Sequence, residues 1–212
     1  GNLVLYLNAV LVSFSGSSSN FLKLQSFTMQ FKNVLFAACM AFSASASAAS
    51  NATDIGAAVQ ANLNMVDLGL KNTFNQLKHL SASALDVTAK DVISAYNMTV
   101  TAEASDLKQD QPTKPLADAV QMVLCQAFHS NAITGTELHN AFANNADMFN
   151  KDNRNDLQEI LTKINDETSH FYTAVALKAL PYCKASLKND QKAIARAIGT
   201  ASKALDPSEA SS

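Results

Sequence analysis

The feature that most constrains the fold is an apolar stripe in the segment 53–80. Its large apolar residues recur at steps of three and four: Ile55, Val59, Leu63, Val66, Leu70, Phe74 and Leu77. This spacing puts them on one face of an α-helix, whereas a strand would alternate apolar and polar residues. The segment therefore predicts a long amphipathic helix that must bury one face against other elements.

The same periodicity recurs along the rest of the chain. We expect further helices over 88–108, over 116–129, after a turn at 134–137, over 155–180 and over 183–205. Prolines within 111–115 and at 181 interrupt the pattern. No stretch alternates with strand periodicity over a useful length. The predicted fold class is all-α, a single-domain bundle of five or six amphipathic helices.

Residues 29–48 have the three parts of a secretory signal peptide. A short positive region is followed by an apolar core at 34–42 and by small residues that include Ala46-Ser47-Ala48. The apolar core is far shorter than the ~20 residues that a membrane span needs. We therefore expect cleavage after Ala48, a mature domain over 49–212 with no membrane span, and an upstream or artefactual extension at 1–28.

The charge of the mature segment limits the possible partners. It contains 14 basic and 18 acidic residues, a net charge of −4. This balance, without a contiguous Lys/Arg cluster, argues against nucleic acid as a partner. The carboxyl-terminal residues 206–212 are polar and do not form the hydrophobic tail of a lipid-anchor signal. We expect an extracellular protein, released or associated with a cell wall.

Two cysteines remain after the signal peptide, which takes Cys39 with it. In an oxidising compartment Cys125 and Cys183 are expected to form a disulfide, although two buried thiols are the alternative. Closing a loop of that length should stabilise the fold by about 4 kcal/mol on the chain-entropy model. The sequons at Asn51 and Asn97 agree with the secretory route and predict glycosylation.

The sequence carries no recognised motif for catalysis, metal binding or a cofactor. The four histidines form neither H-E-x-x-H nor a close Cys/His pair. The carboxylates Asp166, Glu167 and Asp190 are expected on solvated helix faces. The acidic run 150–156 lacks the glycine and the terminal glutamate of a calcium loop. The sequence therefore predicts a protein that is not an enzyme and has no cofactor.

The remaining candidate for a functional feature is a set of large apolar side chains. Five large side chains are expected on inward helix faces, and they are Leu70, Phe74, Phe142, Phe149 and Phe171. They either fill an ordinary core or line an elongated cavity for an apolar ligand such as a fatty acid. These five are the candidate ligand-binding residues.

The order of segments in the mature chain resembles the fungal hydrophobic surface binding protein A and cell-wall galactomannoprotein family. A long amphipathic helix opens the domain, FANNADMF follows at 142–149, and LQEILTKINDETSHFYTAVALKAL begins at Leu157. The family pattern L-x-x-L-x-x-D-T-x-x-F is matched by Leu161, Ile164, Glu167, Thr168 and Phe171. The last helix is rich in alanine and lysine. The resemblance covers 54–205.

The resemblance implies a secreted or wall-associated protein that adsorbs to hydrophobic surfaces or holds a fatty acid inside the bundle. It implies no catalytic residues. A second class is a secreted helical effector or an enzyme-inhibitor-like interaction protein, whose partner would be a secreted hydrolase or a host protein. A co-purifying fatty acid would favour the first class, and a tight protein partner would favour the second.

Overall fold

The computed structural model describes residues 52–82, 87–106 and 114–209, and every regular element in these ranges is helical. Six α-helices occur there: α1 Ala52–Ser81, α2 Ala89–Asp106, α3 Asp118–Asn144, α4 Lys151–Phe171, α5 Leu177–Ala179 and α6 Lys184–Ala204. Short 3-10 turns cover Ala146–Met148, Pro181–Cys183 and Pro207–Glu209, and a π-helical segment covers Tyr172–Ala176. The predicted all-α class, a bundle of five or six helices, is confirmed.

The five long helices pack in a closed ring. Helix α1 lies between α2 and α3, α4 packs against α2, and α6 closes the ring by packing against both α4 and α3. Each long helix therefore buries a face that is flanked by two neighbours, as its amphipathic pattern requires. The predicted signal peptide (29–48), the extension before it (1–28) and the sequon residue Asn51 lie outside the described residues.

The stripe of α1 faces the core, as its spacing predicts. Leu63, Leu70 and Leu77, each seven residues after the last, are buried. Val59, Val66 and Phe74 are partly buried and pack against the core at the margin of the stripe. The remaining faces of the helix are largely polar, so that packing selects one orientation for the helix.

Helix α2 begins at a capping box. The Asp91 carboxylate accepts the Thr88 N–H at 2.8 Å and the Thr88 hydroxyl at 2.7 Å, while the Asp91 N–H points back at that hydroxyl. Farther along, α2 approaches α1 closely at Gly69, where an added Cβ would lie 2.6 Å from the Thr99 hydroxyl oxygen. The glycine therefore permits the contact between these two helices.

The predicted turn at 134–137 is wrong, because α3 continues through it without interruption. The Thr134 hydroxyl lies 2.8 Å from Asp67 on α1, and the Asn131 amide donates to the Leu63 carbonyl at 2.9 Å. A glycine inside a helix costs about 1 kcal/mol relative to alanine. The burial of Leu138 and Phe142 in the same helix, together with these bonds to α1, outweighs that local cost.

The end of the long fifth predicted helix is also more complex than its pattern indicates. The expected segment 155–180 begins at Lys151 and divides into α4, the π-helical segment and α5 before Pro181. A buried arginine fixes the beginning of α4, since Arg154 donates to the carbonyls of Phe149, Ala146 and Asp206. Its guanidinium thereby joins the turn before α4 to the segment after α6.

Candidate functional site

The five predicted ligand residues all contribute to the core, but to different depths. Leu70, Phe142 and Phe149 are buried, and Phe74 and Phe171 are partly buried and pack against the core. Leu70 faces the backbone of α3 at Gly135. Phe74 lies beneath the Lys78 ammonium, which is 4.2 Å from the ring centroid. The structure thus places three of these side chains inside the ring of helices and two at its margin.

The Tyr96 cluster consists of Tyr96, His139, Phe142 and Phe149. The Phe142 ring lies 5.1 Å from the Tyr96 ring and 6.0 Å from the Phe149 ring, and the His139 ring lies 5.9 Å from Tyr96. All four side chains are at most 1% exposed. Two helices, α2 and α3, and the turn before α4 therefore meet around one tightly packed aromatic group.

His139 is the polar centre of the Tyr96 cluster. Its Nε2 lies 2.6 Å from the Tyr96 hydroxyl, and its buried Nδ1 has no hydrogen-bond partner. Burial lowers the pKa of His139 to about 4, and the Gly135 carbonyl one turn earlier only partly opposes that shift. The imidazole is therefore neutral at neutral pH. The neutral imidazole and the Tyr96 hydroxyl share one hydrogen bond through Nε2, and its direction follows the tautomer of the ring.

The Phe128 cluster consists of Phe128, Phe171 and Tyr172. The Phe128 ring lies 5.1 Å from Phe171 and 5.4 Å from Tyr172. Tyr172 opens the π-helical segment, a conformation that is rare and often occurs at functional sites. Ring contacts therefore place Phe142 and Phe149 in one aromatic cluster and Phe171 in another.

The predicted disulfide between Cys125 and Cys183 is present, with the two Cα atoms 6.1 Å apart. It ties α3 to the 3-10 turn before α6. The buried amide of Gln121 reinforces the same junction, because it donates to the Leu116 carbonyl and accepts the Tyr182 N–H at 3.0 Å. We call this junction the disulfide corner, defined by residues 121–125 and 181–183.

Large apolar side chains are exposed on the disulfide corner. Tyr182 is 70% exposed, Met122 52% and Val123 43%. Met122 directly follows Gln121, whose side chain holds the Tyr182 backbone, so Met122 and Tyr182 extend from a cross-linked frame. Val123 lies two residues from both Gln121 and Cys125 and therefore faces another side of α3. Sequence periodicity missed this group, because it depends on a turn meeting the first turns of α3.

A histidine and an aspartate lie next to the same corner, between α3 and α6. His129 Nδ1 is 3.0 Å from the Asp190 carboxylate, whose second oxygen is buried without a partner. Asp190 is buried, so its predicted place on a solvated face is wrong; its side of α6 packs against α3. The pair joins the two helices through this one contact.

The sequon of Asn97 lies within helix α2. Asn97 is exposed on α2, while the Thr99 of its sequon is buried and donates to the Ala95 carbonyl. No group of three His, Cys, Asp or Glu side chains in the described ranges could hold a metal ion. In the same ranges no helix combines the length and the apolar character needed to cross a bilayer.

The residues that carry the family resemblance occupy coherent positions. Phe142 and Phe149 bracket the turn between α3 and α4, while Leu161, Ile164 and Thr168 are buried along α4. These positions are what any helical bundle would assign to such a pattern. No family model, no curated protein and no solved structure matches the chain.

Proposed function

We propose that this chain is a secreted, non-enzymatic protein that binds hydrophobic surfaces or lipids, and that the disulfide corner makes the first contact. The observation that carries the proposal is the exposure of Tyr182 and Met122 on a cross-linked junction. Isolated exposed apolar side chains are normal on soluble proteins, but two large ones held by one rigid junction favour an interaction site. The resemblance to the hydrophobic surface binding family supports the same class of function.

The described interior favours adsorption on the outside over storage of a ligand inside the Tyr96 cluster. Phe142 contacts both Phe149 and Tyr96 at ordinary ring distances, so these rings already pack against one another. A ligand tail between them would have to separate rings that are already packed. A hydrophobic surface can instead be met by side chains that are exposed before binding.

The adsorption experiment compares two pairs of variants that keep the net charge. Met122→Gln with Tyr182→Gln removes apolar area from the disulfide corner. Leu68→Gln with Met98→Gln removes apolar area from the outer faces of α1 and α2, where Leu68 is 51% exposed, close to the 52% of Met122. Adsorption of the secreted protein to polystyrene beads and to an alkyl-coated sensor is measured against concentration.

We expect the corner pair to lower adsorption several-fold and the Leu68/Met98 pair to leave it nearly unchanged. Equal losses in both pairs would mean that total apolar area decides adsorption, which contradicts a defined site. Retained adsorption together with the loss of a specific protein partner in the corner pair would favour the helical interaction protein instead. Circular dichroism at matched concentrations checks that both pairs remain folded.

Internal binding of a fatty acid is the second candidate, and the Phe128 cluster favours it. Phe171 is only partly buried and adjoins the π-helical segment, so this part of the ring is less completely enclosed than the Tyr96 cluster. A tail of a dozen carbons would gain ~0.8 kcal/mol per buried methylene, less the cost of ordering it. Palmitate should then displace a fluorescent fatty-acid probe, and Phe171→Gln should weaken displacement more than Phe74→Gln does.

A further inference from the structure

The outer face of α6 carries a row of cations that the sequence, with its scattered lysines, does not make obvious. Their spacing is mostly four residues, and they are Lys184, Lys188, Lys192, Arg196 and Lys203. At 100° per residue these positions fall within an arc of about 120°, and at 1.5 Å per residue they span about 28 Å. All five are exposed, and the buried residues of α6 lie on the opposite side of the helix. We call this row the basic arc.

The charges of the basic arc are not neutralised by their surroundings. The single acidic residue of α6, Asp190, is buried and paired with His129 on the other side of the helix. None of the five cations forms an ion pair with a described residue, and the Arg196 Nε bonds only to the Lys192 carbonyl. A chain whose net charge is −2 thus concentrates uncompensated positive charge on one helix face.

The residues between the cations indicate which kind of anion the arc fits. Ala195 and Gly199 are small and exposed, and Lys192, Ala195 and Arg196 line a shallow open depression. The arc has no aromatic side chain on which nucleic-acid bases could stack. It also lacks the large apolar side chains with which an interfacial helix enters a membrane. The basic arc would therefore recognise a partner by its negative charge and by its narrow, elongated shape.

We propose that the basic arc binds a linear acidic polysaccharide, with successive carboxylate or sulfate groups placed along α6. Cations one helical turn apart, about 6 Å along the axis, match a chain that presents repeated negative charges in a line. The expectation of export selects polysaccharide as the polyanion this chain would meet. The arc begins at Lys184, next to the disulfide corner, and extends away from it along α6, so it adds a second activity to hydrophobic adsorption.

The binding should behave as electrostatic association between a polyanion and a charged helix. Each contact releases counterions from the polymer, so the affinity should fall steeply and continuously as the salt concentration rises. Neutralising two of the five cations should weaken binding by about tenfold or more and reduce the slope of that salt dependence.

The test measures binding of the secreted protein to immobilised polygalacturonate at low salt, with neutral dextran as the blank. The variant is Lys188→Gln with Lys192→Gln. The matched control is Lys151→Gln with Lys163→Gln, which removes the same charge from exposed positions on the neighbouring α4. Lys188→Arg with Lys192→Arg should restore binding, since it keeps the charge and the positions. Thermal unfolding verifies that each variant is folded.

Loss of binding in the α6 variant with retention in the α4 control is the expected result. The proposal is overturned if the wild-type protein does not bind polygalacturonate, or if both variants lose the same affinity. It is also overturned if the arc prefers single-stranded DNA or vesicles with anionic phospholipid over the polysaccharide at equal salt. Each of those outcomes assigns the basic arc to another partner or to none.

Discussion

The two aromatic clusters of the bundle are held together by different means. The Tyr96 cluster is completely enclosed, and a buried hydrogen bond between Tyr96 and His139 lies at its centre. The Phe128 cluster lies one turn from Cys125, contains the partly buried Phe171, and continues into the π-helical segment. Packing and a neutral polar pair stabilise the Tyr96 cluster, whereas the Phe128 cluster lies next to a covalent cross-link.

This difference indicates where the molecule can tolerate binding. A closely packed interior transmits any change in volume to its neighbours, so the Tyr96 cluster should respond sharply to substitution. A region fixed by a disulfide keeps its arrangement even when some of its apolar surface is exposed. The exposed side chains of the disulfide corner therefore lie on a part of the bundle that the cross-link helps to hold in place.

The largest expected effect is from truncation in the Tyr96 cluster. Phe142→Ala should lower the free energy of unfolding by about 4 kcal/mol, because it removes a ring that is completely buried and leaves a cavity. Phe171→Ala should cost about half as much, since that ring is only partly buried. Urea unfolding of the two variants measures the difference. Equal losses would show that the two clusters are equally enclosed.

Removal of the disulfide should have a comparable but differently distributed effect. Cys125→Ser with Cys183→Ser opens a loop of 58 residues and should lower the free energy of unfolding by about 4 kcal/mol or somewhat less. Hydrogen exchange should increase most at the start of α3 and in the 3-10 turn before α6. The amides around His139 should keep their rank in protection from exchange relative to the other amides of the molecule. A uniform increase would contradict local support of the corner.

A change of pH should distinguish the Tyr96 cluster from the rest of the bundle. The pKa of His139 is about 4 in the folded chain and 6.5 when it is exposed, so the unfolded chain binds the proton first. The contribution of neutral His139 to the free energy of unfolding is complete above pH 6.5. It is lost as the pH falls toward 4, by about 3 kcal/mol in total.

The variant His139→Gln isolates that contribution from other titrating groups. Glutamine can still accept from the Tyr96 hydroxyl and carries no proton that titrates in this range. The difference in unfolding free energy between wild type and variant should therefore shrink as the pH falls from 6.5 to 4. A difference that stays constant over this interval would mean that His139 does not keep its neutral form.

The helices were predictable from sequence to the extent that one face was uniformly apolar. The stripe of α1 and the buried residues of α6 have that property, and their limits agree with the structure within a few residues. The turn at 134–137 was predicted from local residue preferences. It does not occur, because α1 supplies tertiary contacts to Thr134 and Asn131 that a single segment cannot reveal.

The candidate sites were harder to predict for a related reason. Periodicity indicates that Phe142 and Phe149 face inward, but it does not distinguish a packed core from a cavity. The cysteine count predicted the disulfide between Cys125 and Cys183, but it did not predict the exposed side chains around it. The pair of His129 with Asp190 joins positions 61 residues apart, which no local pattern encodes. The basic arc could have been found by projecting α6 onto a helical wheel, since its cations recur every four residues.

The smallest expected effect concerns the hydroxyl of Tyr96. It is also the most sensitive test of how the Tyr96 cluster differs from the Phe128 cluster. Tyr96→Phe leaves the ring contacts with Phe142 in place but removes the partner of the buried His139 Nε2, 2.6 Å away. An unsatisfied buried nitrogen should cost about 1–3 kcal/mol.

Combining Tyr96→Phe with His139→Leu removes both polar groups, and the double variant should be more stable than the sum of the two single losses predicts. Urea unfolding of the four proteins gives the coupling energy. Simple additivity would mean that the hydroxyl and the imidazole do not depend on each other, and that ring packing alone holds the Tyr96 cluster.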